Sequence, residues 1–516
     1  MDGGYVALSY VWGVSKQEVC LTKKNLDAYS KPGGIPKLSQ TVEDAIHVTK
    51  SIGIRYFWCD VISIVQDDRE DKAQNISDMD VVYTYSSLTI VAAAGKTCHE
   101  GLYGVSRDRI PLLETTTRSF SLGEISDQPE RPHGALAVTS GWPSRAWTLQ
   151  EFLLSRQALL FCKQQIIWMC RGADWAEELD IDGENFRFAD YRGLNKPEIK
   201  SNIFADRENK VTSTEPSLTA LSDAVTLIEC YTERKLTDQS DISGAFEGLM
   251  WYMSSMSPLS SFLWGLPELN FEAFLCWTVR DGSPAPLRIL RRREEFPQAP
   301  SWSWMAWLGS ISLPRVAQSA HRQGWRSFIK CHKYPTYRHR QGREFTDICS
   351  GYEADDTVLS RNFDLLEHNL PLKSDSASLV FWGECATIVL DSTTLEVHHE
   401  RGASSINVSG GKRLQVQRFC IWGKLAARIR NDGVGSATLV AVLSEGNPLA
   451  VGNSGSASED VLPKDSPSAV FELWDQTVHC LVLSFHESHA SREGMLSMKA
   501  ADWLHLEKET KLVVLD

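Results

Sequence analysis

The sequence has no C-x-x-C pair and no apolar run approaching the ~20 residues of a membrane span, and its only compact basic run is Arg291–Arg293, followed at once by Glu294 and Glu295. Each absence closes off a class. Its 12 cysteines are scattered, which excludes a zinc knuckle, a thioredoxin-type motif and a small disulfide scaffold, and reads as reduced, mostly buried thiols. A net charge of -13 and a pI near 5.6 argue against nucleic acid as a principal partner, because phosphate binding needs clustered cations. No membrane span is expected, and Met1-Asp-Gly-Gly lacks the basic-then-apolar pattern of a signal peptide, so a cytoplasmic protein is the default. No G-x-G-x-x-G follows the first strand, and neither a Walker A sequence nor a G-x-S-x-G elbow is present. The pairs His398-His399 and His486-x-x-His489 lack companion ligands at fixed spacing and read as solvated loop histidines. No resident cofactor or metal is expected.

What is there is a globular composition, 42% hydrophobic and 23% charged, in a chain long enough for two or three domains. Tyr5-Val-Ala-Leu-Ser-Tyr-Val-Trp12 is an apolar run closed by Gly13 and reads as a buried strand. Ser39 or Thr41 then caps a helix whose stripe is Val42, Ala45, Ile46 and Ile52, stopped by Gly53. Tyr56 to Val65 reads as a central parallel strand apolar on both faces, with Asp60 the exception inside it. A second helix after Asp67-Asp68 places Ala73, Ile76, Met79 and Tyr83 on one face, and Leu88 to Ala94 forms the next strand. Strict alternation predicts a doubly wound parallel α/β unit with right-handed crossovers, joined by the strand-like runs Ala158–Cys162 and Ile166–Cys170. The strand at Tyr5 should be internal, because a bare apolar edge invites aggregation.

The chemistry concentrates in Ser144-Arg-Ala-Trp-Thr-Leu-Gln-Glu151. Pro143 suits a first helical turn and Ser140 or Ser144 could cap it, so Trp147 and Glu151, at i and i+4, share one helical face. A carboxylate beside an aromatic wall in an apolar segment has a raised pKa and can serve as a general acid or base; the alternative is a Glu that solvates the helix surface. Ser9, Tyr10 and Trp12 lie at the carboxyl end of the first strand, where open α/β sheets bind ligands. Asp60 reads as a buried carboxylate holding loop amides or an Arg.

These blocks together resemble the heterokaryon incompatibility (HET) domain of fungal proteins. The resemblance rests on Tyr5–Gly13, Thr41-Val-Glu-Asp-Ala45, Trp58–Gln66, Met79–Tyr83 and Arg145-Ala-Trp-Thr-Leu-Gln-Glu151, in order and at family-like spacing. Looser likenesses run through Tyr231–Thr237, Asp241–Gly248 and Pro300-Ser-Trp-Ser-Trp304, and Gly101-Leu-Tyr-Gly104 resembles a family loop. Ser63 stands where family members usually carry Cys, which argues against a nucleophilic thiol there. Relatives also usually carry residues ahead of the first strand, which suggests a flank that is missing or was never present. The HET domain is in turn similar to the TIR domain, a flavodoxin-like fold in which some members hydrolyse NAD with a helical glutamate. The Trp-x-x-x-Glu arrangement carries that role onto Glu151, with Ser9, Tyr10, Trp12 and Trp147 as substrate-binding residues. The resemblance implies a fungal effector of non-self recognition and programmed cell death. It acts either as an NAD hydrolase, with NAD as substrate, or as a non-catalytic signalling module that self-associates or binds protein partners.

Four regions are expected: 1–180, the TIR-like α/β domain; 181–310, a helical segment ending in a Trp-rich strand; 311–375, a weakly ordered connection; and 376–516, a β-rich region. The helices are read at Ser217–Ile228 and Tyr231–Met253, and Arg234 and Asp241 there could pair structurally or act. Ser301-Trp-Ser-Trp-Met-Ala-Trp307 alternates at period two and reads as a half-buried strand serving core packing. Strands are expected at 379–382, 385–390, 419–422, 437–443, 480–483 and 512–515.

Overall fold

Strand and helix alternate through the first part of the chain in the computed structural model, which describes residues 3–13, 19–110, 141–170, 174–177, 218–256, 262–280, 282–283, 287–288, 299–318, 325–329, 332–333, 379–391, 404–408, 412–432, 434–445, 477–486 and 489–515. The elements are β1 (Tyr5–Ser9), α1 (Leu26–Tyr29), α2 (Gln40–Ser51), β2 (Tyr56–Trp58), α3 (Asp60–Ser63), α4 (Arg69–Ser77), α5 (Met79–Tyr85), β3 (Leu88–Val91), α6 (Ala146–Leu154), β4 (Gln157–Phe161), β5 (Ile166–Cys170) and β6 (Asp174–Ala176). The chain divides into two compact units, Met1–Ser213 with Glu233–Met256, and Thr214–Thr232 with Ser257–Asp516. Helix α7 (Leu218–Thr232) therefore belongs to the second unit, whereas α8 (Gly244–Met256) returns to the first.

The first unit is a mixed α/β body on a six-stranded sheet of order β2-β1-β3-β4-β5-β6. Strands β2, β1, β3 and β4 are parallel, and β1 lies between β2 and β3, so the strand beginning at Tyr5 is internal. One face is apolar: Val6, Leu8 and Tyr10 of the first run pack with Leu88 and Ile90 of β3 and with Val42 and Ala45 of α2. Local chemistry sets the helix limits. Gly53, at φ +79°, closes α2 in the left-handed conformation, and the Asp68 carboxylate accepts from the Glu70 and Asp71 amides to cap α4.

Four expectations are corrected. Tyr56 to Val65 is not one central strand: β2 stops at Trp58, lies at the sheet edge, and gives way to the single turn α3, because Asp60 accepts from the Val61 amide at 2.8 Å and so opens a helical turn. The helix after Asp68 is broken at Asp78 into α4 and α5, leaving Ala73 exposed while Met79 and Tyr83 stay buried. Strand β5 runs antiparallel to β4, since the short link from Phe161 to Ile166 cannot hold a crossover. Helix α6 opens at Ala146 with Arg145 at the cap position, and the Ser144 hydroxyl donates instead to the Gly141 carbonyl at 2.8 Å; Ser140 lies outside the described residues.

The second unit carries α7, α9 (Phe271–Leu275) and short strands β7 (Phe262–Leu263), β8 (Leu266–Pro267), β9 (Thr278–Val279), β10 (Leu287–Arg288), β11 (Trp307–Leu308) and β12 (Ile311–Ser312), paired β7–β8, β9–β12 and β10–β11. Its nine-stranded sheet comprises β13 (Trp325–Ser327), β14 (His332–Lys333), β15 (Leu379–Asp391), β16 (Ser404–Val408), β17 (Lys412–Ile421), β18 (Val434–Glu445), β19 (Thr477–His486), β20 (His489–Lys499) and β21 (Glu509–Leu515). Helices α10 (Gly423–Asp432) and α11 (Ala500–Leu504) pack Leu425, Ile429 and Trp503 into the same core as Ile388, Leu439 and Leu496. The β-rich reading of this region holds, with β16, β20 and α10 as additions. His486 and His489 are opposed at the β19–β20 hairpin end.

The Trp-rich run is a turn followed by a 3-10 helix, Trp304–Ala306, rather than a strand. Side-chain bonding decides this: the Ser303 hydroxyl accepts from the Met305 amide at 3.0 Å, and the indoles of Trp304 and Trp307 donate to Gly265 and Ser301 carbonyls at 3.0 and 2.9 Å. Fully buried Arg492 on β20 organises these aromatics. Its guanidinium lies 3.9 Å from the centre of the Trp277 ring and donates to the carbonyls of Leu275, at 2.8 Å, and Trp277. Burial lowers its pKa to about 9. The expected boundary near 180 and residues 334–375 lie outside the described residues; 311–333 contribute β12, β13, β14 and a 3-10 turn.

Candidate active site

Strand alternation gives β1 a second face unlike its first. Val6 and Leu8 enter the apolar cluster, so Ser9 points the opposite way, toward α6. There the Ser9 hydroxyl donates to Glu151 Oε2, while the Trp142 indole donates to Ser9 Oγ at 2.8 Å. The Glu151 backbone carbonyl accepts from Ser155 Oγ at 2.6 Å, and Ser155 is joined to Thr89 of β3 at 2.6 Å. Glu151 is thus held at both its main chain and its side chain, at 8% exposure. Burial pushes its pKa up to about 7. The Ser9 hydrogen bond and the positive charges of Arg145 and Arg234 oppose that rise, and the charge of Asp60 adds to it.

A second carboxylate stands nearby in charge terms. Asp60 Oδ2 accepts from the Trp12 indole at 2.9 Å and Oδ1 from the Val61 amide at 2.8 Å. The Cys59 thiol lies 3.7 Å from both Asp60 Oδ1 and the Tyr10 hydroxyl. Burial raises the Asp60 pKa, against the Trp12 and Val61 hydrogen bonds and the charge of Arg145. Cys59 is fully buried and its pKa is raised, first by burial and then by Asp60. Tyr83 belongs to the same electrostatic neighbourhood: burial and the charges of Glu151 and Asp60 raise its pKa, and its hydroxyl donates to the Leu8 carbonyl at 3.0 Å.

The predicted residues are therefore only partly brought together. Ser9 bonds Glu151 directly, and Trp12 is half-buried and fixed by Asp60. Tyr10 is 5% exposed and packs in the apolar cluster beside Cys59. The Trp147 ring edge lies against Gly244, 3.6 Å from where a Cβ on that glycine would sit, a point that Ile76 of α4 also approaches at 3.8 Å. Arg234 braces the start of α6, donating to the Arg145 carbonyl and Thr148 Oγ1, both at 3.1 Å. Trp142 and the Trp12–Asp60 bond have no signal in the sequence, since each is made between distant segments. Chemically the arrangement offers an oriented carboxyl that titrates near neutrality, a second hydrogen-bonded carboxylate and a partly exposed indole, at the carboxyl ends of parallel strands. Among the described residues no cluster of three His, Cys, Asp or Glu could hold a metal ion, and no helix is long and apolar enough to cross a membrane.

No curated protein and no solved structure matches the chain. Residues 5–151 match the model of the family described as heterokaryon incompatibility protein (HET), a span running from the first residue of β1 to Glu151, and this domain implies a heterokaryon-incompatibility type of function.

Proposed function

We propose that this chain is a fungal, cytoplasmic effector of non-self recognition and programmed cell death whose first unit is a TIR-like domain that hydrolyses NAD through Glu151. The observation that carries this reading is the buried Glu151 carboxyl, bonded to Ser9 at the end of β1 and titrating at about 7. The parallel order β2-β1-β3-β4 supports it, being the order of flavodoxin-like sheets, which bind ligands beyond the carboxyl ends of their strands. In the reaction, the bond between the anomeric carbon and the nicotinamide nitrogen breaks with its electron pair leaving on nicotinamide. Water adds to the carbon and releases a proton. Ionised Glu151 stabilises the oxocarbenium-like state, and Ser9 fixes the direction of its carboxylate.

The test is nicotinamide release from NAD by the purified full chain. Wild type should turn over, with a rate that rises with pH through about 7 as Glu151 ionises. Glu151→Gln, which keeps the shape and removes the charge, should be slower by at least ~10²-fold. Equal release by the two proteins would refute the assignment. A second reading, a self-associating module without turnover, has its own support in the exposed Val81 and Tyr85 of α5 and Trp251 of α8, apolar side chains on helices of the same unit.

A further inference from the structure

Trp12 is a half-buried aromatic that packs against the apolar cluster and is fixed at its indole and at its backbone. Its indole N–H is bonded to Asp60, its carbonyl accepts from the Cys98 amide at 3.3 Å, and the next residue, Gly13, takes φ +93° where a Cβ would come within 2.9 Å of Thr97 Cγ2. A ring fixed this way cannot swing to bury its remaining exposed surface without breaking the Asp60 bond. Asp60 is itself fixed, because Val61 and Trp12 donate to different oxygens, the pattern of an acceptor carboxylate. A carboxylate accepting from an indole N–H pushes electron density onto the ring face, which strengthens its attraction for a cation. Burial raises the Asp60 pKa, and the hydrogen bonds from Trp12 and Val61 and then the charge of Arg145 oppose that rise.

We propose that Trp12 and Asp60 form a binding site for a cationic heteroaromatic ring, a pyridinium, with Trp12 as the stacking platform and Asp60 as the positioning residue that fixes and polarises it. The inference deepens the reading of Glu151 as an NAD hydrolase, since the oxidised dinucleotide carries a pyridinium and the reduced one does not. Asp60 then selects the charged ring over its neutral counterpart, and its charge also acts on Glu151, the partner of Ser9 from the same first run.

Calorimetric titration of the full chain with 1-methylnicotinamide, a permanent pyridinium, and with neutral nicotinamide tests this without turnover. Wild type should bind the cation about tenfold more tightly, the scale of a partly desolvated cation–π contact. Asp60→Asn, which retains an acceptor oxygen for Trp12, should bring the two affinities to within about twofold while circular dichroism stays that of wild type. Should that variant fail to fold, Trp12→Leu must by itself abolish the preference. Equal wild-type affinities, no binding of the cation, or a preference unchanged in a folded variant would overturn the proposal. Nicotinamide release without any preference for the cation sinks this inference alone, and the preference without release sinks the hydrolase reading alone.

Discussion

At the scale of a residue, the Ser9 hydroxyl has one proton to give. The Trp142 indole can only donate to it, so that proton goes to Glu151 and fixes the carboxyl's direction. The raised Glu151 pKa also has a consequence for stability. Unfolded, the side chain ionises near 4.5; folded, it keeps its proton until about 7. Its contribution is therefore fully present below pH 4.5 and is lost as pH rises through about 7, a loss on the order of 3 kcal/mol. Glu151→Gln should consequently raise the thermal midpoint by several degrees at pH 8 and much less at pH 5. A midpoint difference independent of pH, followed by circular dichroism, would show that Glu151 carries no raised pKa.

At the scale of elements, α6 is positioned by close approach to its neighbours. Gln150 Oε1 of α6 accepts from the Gly248 amide of α8 at 3.1 Å, and a Cβ on Gly248 would collide with the Cβ of Asp80 on α5. Gly248→Val should destabilise the first unit by roughly 1–3 kcal/mol, measured by urea denaturation. A change under about 0.5 kcal/mol would mean the three helices separate at no cost. Sequence pattern reached the elements whose periodicity is local: β1, α2 with its Gly53 stop, and β3. It failed where an apolar run suits two structures, as at Val61–Val65, and where tertiary partners override composition. Strand β20 was invisible because Arg492 and Glu493 interrupt its pattern, yet both are buried, held by the Leu275 carbonyl and the Leu425 amide. The same limit applies to the site. Glu151 could be reached from Trp-x-x-x-Glu spacing and Ser9 from its place on the strand, but the Trp12–Asp60 and Trp142–Ser9 bonds join residues 48 and 133 positions apart.

At the scale of the molecule, the family match and the folding unit have different limits. The matched span ends at Glu151, inside α6, whereas the first unit also includes β4, paired parallel to β3, and α8, packed on α6. A fragment of residues 1–151 should therefore fail to fold: it leaves the β3 edge open and α6 truncated. A cooperative thermal transition and native near-ultraviolet dichroism from that fragment would contradict this.

The return of α8 to the first unit sets a delay during synthesis. From Leu154, the end of α6, to Gly244, the start of α8, the ribosome must add 90 residues (244 − 154). At ~5–20 residues per second that is roughly 5–20 s in which the nascent chain presents the face of α6 that α8 will cover. Through that interval the Gln150 acceptor has no Gly248 amide to meet, and the emerging α7 belongs to the other unit. The newborn polypeptide thus carries an uncovered face of α6 from the emergence of that helix until α8 follows it.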